Sequence, residues 1–152
     1  MRRSLAAAAF ALGLGAAGLA HAAEGYMDKA GWQVSPTAAS PGNCSARLPG
    51  PQVDIILMVN KSGKLVLTAG HADWNRLDQN FASKLAVDGG SEATVTGDSI
   101  GPLFMALVSD DLFQRLRGAR AIDWTLPTGQ YHIAVAGLGA AFDETIACER
   151  AG

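Results

Sequence analysis

Hydrophobic positions along the chain fall mostly in short runs or strict alternation, the period of β-strands, with turn residues between them. Trp32-Gln33-Val34 and Cys44-Ser45-Ala46-Arg47-Leu48 are brief extended pieces, separated by a Pro-, Ser- and Gly-rich connection from Ser35 to Asn43. Val53 to Val59 is a near-continuous apolar run, too short for a helix. With Lys64 to Thr68 and the turn Asn60-Lys61-Ser62-Gly63 it predicts a β-hairpin, whose Gly63 can take the left-handed conformation the turn needs. Phe81, Ser83, Leu85 and Val87 alternate on one face of a further strand, and Asp88-Gly89-Gly90 turns the chain into Ala93 to Thr96. Leu103 to Val108 reads as another strand. Ala121 to Leu126 and Tyr131 to Val135 flank Pro127-Thr128-Gly129, a third hairpin.

Two segments change period. Ser109 is a good N-cap, followed by Asp110 and Asp111 where the helix dipole favours negative charge, by Leu112, Phe113 and Leu116 on one face, and by Gly118 as a stop. A second helix is predicted from about Leu138 to Glu149, with Leu138, Phe142 and Ile146 at spacings of four. Several strands, a helix, two strands and a helix predict an α+β domain built on antiparallel β-sheet, a sheet or sandwich of hairpins with two short helices.

The first residues alter the compartment rather than the fold. Met1-Arg2-Arg3-Ser4 sets two positive charges ahead of an uncharged Ala- and Leu-rich stretch from Leu5 to Leu19, and Ala20-His21-Ala22 follows as a small-x-small cleavage sequence. The stretch is shorter than the roughly 20 residues that cross a bilayer. Residues 1–22 are therefore expected to be a signal peptide, with the general secretory route favoured over the twin-arginine route that the Arg pair also allows, and residues 23–152 a single mature domain in the periplasm or outside the cell, with no membrane span after cleavage. Loss of Arg2 and Arg3 leaves ten basic against fourteen acidic side chains. The remaining cations are scattered, which argues against nucleic acid; Arg115, Arg117 and Arg120 stand close together and read as the solvated face of a helix and its exit.

The two cysteines, Cys44 and Cys148, both lie in the exported part. An oxidising compartment favours their pairing, and no Cys-x-x-Cys spacing or adjacent His suggests a redox or metal pair. The bridge would close a loop of about 100 residues, worth up to roughly 4 to 5 kcal/mol in the chain-entropy model, and would staple the C-terminal helix to an early strand.

In the second half, Val87-Asp88-Gly89-Gly90, the run from Asp110 to Ile122 through Asp111-Leu112-Phe113-Gln114-Arg115-Leu116, and Ile133-Ala134-Val135-Ala136-Gly137-Leu138-Gly139-Ala140-Ala141-Phe142 stand in an order that resembles the invasion-associated locus B family of exported bacterial proteins. The resemblance covers Phe81 to Cys148, about half of the mature chain. It implies an envelope or surface protein with a role in stress or host contact, no established catalysis and no catalytic residue to carry over. Family members carry Cys pairs in the middle of the domain, whereas Ser91 to Val108 holds none, so the bracing by Cys44 and Cys148 is a different one.

Two fragments point elsewhere. Val66-Leu67-Thr68-Ala69-Gly70-His71 is similar to the histidine segment of trypsin-like serine proteases, and Gly97-Asp98-Ser99-Ile100-Gly101-Pro102-Leu103 to their nucleophile segment. Only 28 positions separate His71 from Ser99, far fewer than that double barrel needs. The acids between them, Asp73, Asp78, Asp88, Glu92 and Asp98, lie in no apolar strand, and Ile100 stands where that family has Gly. Gly97-Asp98-Ser99-Ile100 is also similar to the first block of GDSL esterases, whose late Asp-x-x-His is absent. The plainer expectation makes His71 a loop residue at a hairpin end and Gly97-Asp98-Ser99 a turn.

Other candidates have structural readings. His132 is expected to face solvent, and His71-Ala72-Asp73 offers two metal ligands without a third partner. Trp32, Trp74 and Trp124 read as core or hairpin-pair residues, and Gly137-Leu138-Gly139 as a tight helix entry rather than an anion cradle, so no cofactor or metal is expected. The leading expectation is an exported non-enzymatic protein that binds a protein or an envelope component. The alternatives are a small exported serine hydrolase using Ser99 and His71, and an inhibitor or immunity protein against an envelope hydrolase.

Overall fold

The computed structural model describes residues 26–27, 30–37, 42–71, 74 and 81–152; the expected signal peptide, with His21, lies outside the described residues. The strands are β1 (Tyr26–Met27), β2 (Gln33–Pro36), β3 (Cys44–Leu48), β4 (Asp54–Val59), β5 (Leu65–Gly70), β6 (Phe81–Val87), β7 (Ala93–Ile100) and β8 (Leu103–Leu107). Helix α1 (Asp110–Arg117), β9 (Ala121–Leu126), β10 (Gly129–Ala134) and α2 (Leu138–Ala151) complete the domain.

The α+β class and the antiparallel pairing agree with the sequence, but a sandwich does not form. All ten strands join one sheet in the order β1-β2-β3-β4-β5-β8-β7-β6-β9-β10. The reason lies in two non-local pairings: β5 takes β8 as its neighbour and β6 takes β9. The β6-β7-β8 meander is thereby inserted in reverse without a break in the hydrogen-bonded ladder, and among the described residues no second sheet is left to stack. The sheet curls into a half-barrel until Trp32, just before β2, donates its indole N–H to the carbonyl of Ala136, just after β10, at 2.9 Å.

One face of each strand fills the inside of the curl. Ile55, Ala69 and Phe104 lie side by side in register, as do Leu57, Leu67 and Ala106, and all are buried. Phe104 meets Phe81 and Trp124 edge to face, at centroid separations of 6.0 and 6.1 Å. That ring is accommodated by Gly97, where a Cβ would stand 2.7 Å from Phe104 Cζ and 2.4 Å from the carbonyl oxygen of Met105. Gly97-Asp98-Ser99 is consequently strand rather than the expected turn; β7 continues to Ile100, and the chain reverses at Gly101, with φ of 57°. The buried indole of Trp124 donates to Ser83 Oγ at 3.0 Å, and that hydroxyl donates onward to the Val95 carbonyl, so a polar pair is satisfied inside the apolar core.

The helices lie on the same inner side. In α1, Ser109 accepts from the Leu112 N–H, and Leu112 and Leu116 are buried. Phe113 packs on Phe142 of α2, and Arg117 lies over the Phe113 ring while its guanidinium bonds both oxygens of Asp143. Close approach of the helices requires Gly139, where a Cβ would be 2.7 Å from the Arg117 carbonyl oxygen. α2 packs against β2, β3 and β4, and the expected disulfide is present, joining Cys44 on β3 to Cys148 on α2 across 104 positions.

Between β6 and β7, Asp88 adopts φ of 48°, and its carboxylate accepts from the N–H groups of Arg120 and Ala121. Those two hydrogen bonds hold its carboxyl below the usual carboxylate range.

Replacement of Cys44 or Cys148 by Ser is expected to destabilise the protein by up to roughly 4 to 5 kcal/mol, measured by denaturant unfolding against the oxidised parent. Ser83→Ala leaves the Trp124 N–H without its acceptor, and a loss of about 1 to 3 kcal/mol is expected in the same assay. For Asp88, ionisation is favoured in the fold, so its contribution is present above the ordinary carboxylate value of 3.8 and disappears as pH falls through the lower folded value. Thermal melts of Asp88→Asn should run below those of the parent near neutral pH and converge with them in strong acid.

Candidate functional site

The two residues of the hydrolase alternative sit on different strands of the sheet. Ser99 is directly opposite Phe104 of β8, and Phe104 is directly opposite Ala69 of β5. Two strand spacings, about 10 Å, therefore separate Ser99 from the end of β5, which His71 follows. His71 is a loop residue at a hairpin end, as the sequence suggests; its N–H bonds the Pro102 carbonyl and its ring lies 6.4 Å from that of Trp74. Ala72, Asp73 and Asp78 lie outside the described residues.

On the other side His71 borders an open hollow of about 250 Å³ with Arg47 and Asp54. Asp54 is the acid the sequence overlooked, because it lies before His71 rather than between His71 and Ser99. Partial burial raises its pKa, but the hydrogen bonds from Arg47 and the Gly50 N–H, with the positive charges of Arg47 and His71, outweigh that and hold it below the usual range. One Asp54 oxygen is taken by the Arg47 guanidinium and the other by the Gly50 N–H at 3.1 Å. Its carboxylate thus caps a turn and pairs with an arginine.

The other candidates are spread over the molecule. Arg115 donates to the Ser91 carbonyl at the β6–β7 turn, while Arg117 is held by Asp143, so the arginine trio does not converge. His132 faces solvent, its side chain 72% exposed and bonded to Asp123 at 2.7 Å. Trp32 and Trp124 are core residues, and Trp74 packs against Tyr131. Gly137 is the left-handed entry to α2. Among the described residues no cluster of three or more His, Cys, Asp or Glu side chains is placed to hold a metal.

What does converge is an apolar outer face. Met58, Val66 and Leu107 form one cross-strand row on β4, β5 and β8; Ile56, Thr68 and Met105 form the next; Leu103 and Ile100 extend it onto β7. Leu107 and Ile100 are 54% and 61% exposed. Thr68, in the middle, is fully buried, and its hydroxyl has no hydrogen-bond partner. Arg47, Asp54 and His71 border the patch at one end, and Lys64, paired with Asp110, lies toward the other. Its signal was present in the sequence as the near-continuous apolar run Val53–Val59 and the continuous run Leu103–Val108: a strand with one solvated face alternates, and a strand apolar on both faces does not.

No family model and no curated protein matches the sequence. Among solved structures, the invasion associated protein B of Bartonella henselae is similar to this chain in fold, with a TM-score of 0.58 at 12% identity, covering 78% of this chain and 94% of that one. The resemblance carried by Phe81 to Cys148 thus extends to the architecture of most of the domain.

Proposed function

We propose that this chain is an exported, non-enzymatic protein that acts by binding a protein or an envelope component through the outer face of β4, β5 and β8. The observation that carries the reading is the patch itself: Ile56, Met58, Val66, Leu103, Met105 and Leu107 are apolar side chains on the face turned away from the core. Leu107 is exposed and the other five are half-buried, and the apolar area of this face still in contact with water gains free energy when a partner covers it, at roughly 25 cal/mol per Å². The disulfide supports an oxidising compartment, and no helix among the described residues is long and apolar enough to cross a membrane. The fold shared with a protein named as invasion-associated supports a role in host contact. The separation of Ser99 from β5 by the whole width of β8 favours binding over hydrolysis.

The test is retention of a partner from an envelope extract by the purified protein and by a Leu107→Lys, Ile100→Lys double variant. Both side chains are exposed, so the variant is expected to keep its melting temperature within a few degrees. It is expected to lose roughly tenfold or more of the capture, while Ala147→Lys, exposed on α2 at the other side of the sheet, retains it. Equal capture by the double variant and the parent would remove this face from the function.

A further inference from the structure

The two ends of the sheet differ. β1 is only two residues long, whereas β10 offers six residues, Gly129 to Ala134, and pairs with β9 in uninterrupted register. Edge strands are normally blunted by Lys, Pro or a bulge, and Gly-Gln-Tyr-His-Ile-Ala has none of these. Its hydrogen-bonding parity is set by the Val135 N–H, which donates to the Arg120 carbonyl. Residues in phase with Val135, namely Ile133 and Tyr131, exchange their bonds with β9. The N–H and C=O groups of Gln130, His132 and Ala134 therefore point away from β9, and no backbone group among the described residues pairs with them.

This free row borders a cleft of about 380 Å³, whose lining includes Tyr131 to Ala134 on one side and the connection Leu48 to Val53 on the other. The second wall is rigid: Pro49 and Pro51 flank Gly50, where a Cβ would stand 2.2 Å from the Val53 carbonyl oxygen, and the Gly50 N–H is tied to Asp54. Among the described residues no Lys, Arg, Asp or Glu lines the cleft. Tyr131 and Ile133 are half-buried on the core side of the strand, and Gln130, His132 and Ala134 are exposed on the other.

We infer that β10 is a docking edge for an extended, uncharged strand of a partner polypeptide, which adds to the sheet as an eleventh strand with its apolar side chains in the cleft. Only an extended backbone offers acceptors and donors at every second residue to match Gln130, His132 and Ala134. Strand geometry then assigns the side chains: partner residues opposite Tyr131 and Ile133 point to the core side, against Leu48 and Val53, and are apolar, while the residue between them lies beside His132 and Asp123. The walls formed by Leu48 to Val53 and Tyr131 to Ala134 carry no Lys, Arg, Asp or Glu and so favour an uncharged occupant, since a charged group between them would be desolvated without a partner. The inference concerns a different surface from the outer face of β4, β5 and β8 and stands or falls without it.

The probe is a capped pentapeptide of alternating threonine and valine, added to the full-length mature protein and followed by amide hydrogen exchange. Binding should slow exchange at Gln130, His132 and Ala134 and leave Tyr131 and Ile133, already bonded to β9, as they were. The same peptide N-methylated on the residues that bond to β10 keeps its side chains but loses its donors, and it should not bind. His132→Pro removes one outward N–H without touching a bond to β9, so the fold is retained and binding falls roughly tenfold or more. His132→Thr restores the N–H and should bind like the parent. The proposal is overturned by undetectable binding of the parent peptide, by equal binding of the N-methylated peptide, or by unchanged binding to a folded His132→Pro variant. It is also overturned if the three amides become protected with rising protein concentration alone, because the occupant is then a second copy of this chain.

Discussion

β5 pairs with β8, and most of the molecule follows from that choice. Had β5 been followed in the sheet by β6, the chain would form a simple meander; instead the β6-β7-β8 unit enters reversed, and β9 and β10 are carried to the far edge. The pairing puts β5 and β8 in the middle of the sheet, where both faces lie away from any edge. Their apolar inner residues meet the core, and their apolar outer residues, half-buried except for the exposed Leu107, form the outer face. The same register sets Phe104 between Ser99 and Ala69, so the pair of segments similar to a serine protease ends on opposite sides of a strand.

A sheet this wide curls, and its curl has to be closed over a core by something other than strand pairing. The closing contacts are all long-range in sequence: the Trp32 indole on the Ala136 carbonyl, the Cys44–Cys148 bridge, and α2 packed on β2, β3 and β4. They join the first strands to the last helix. Because a hydrogen bond from Trp32 and a cleft, rather than a ladder, separate β10 from the connection after β3, the barrel stays open on one side. The outward backbone row of β10, unpaired among the described residues, is the consequence of that incomplete closure.

Local ion pairs and hydrogen bonds brace this scaffold. Asp54 caps a turn and holds Arg47; Asp88 fastens the β6–β7 turn to the start of β9; Arg117 locks α1 to α2. Each ionisable group with a distinctive partner is thereby engaged in joining elements.

Much of this was legible in the residues. The strand periods, the Asn60 to Gly63 turn, the Ser109 cap with Asp110 and Asp111, and the entry of α2 at Gly137 follow from local steric and hydrogen-bonding preferences, which act within a few positions. The Cys44–Cys148 pairing followed from there being two cysteines and no alternative. Other features depended on partners far away in the chain. Gly97 looked like a turn residue because nothing nearby reveals that a Phe104 ring and the Met105 backbone would occupy its Cβ. Ser83 looked like an ordinary polar strand position, and only the indole of Trp124 makes it a buried acceptor. The pattern of the chain by itself determined which segments become strands and helices and which side chains seek the core; the order of strands, and with it the exposed apolar face and the free edge, was decided only by tertiary pairing, since backbone hydrogen bonds are the same for every strand and it is the packing of the whole core that selects among them.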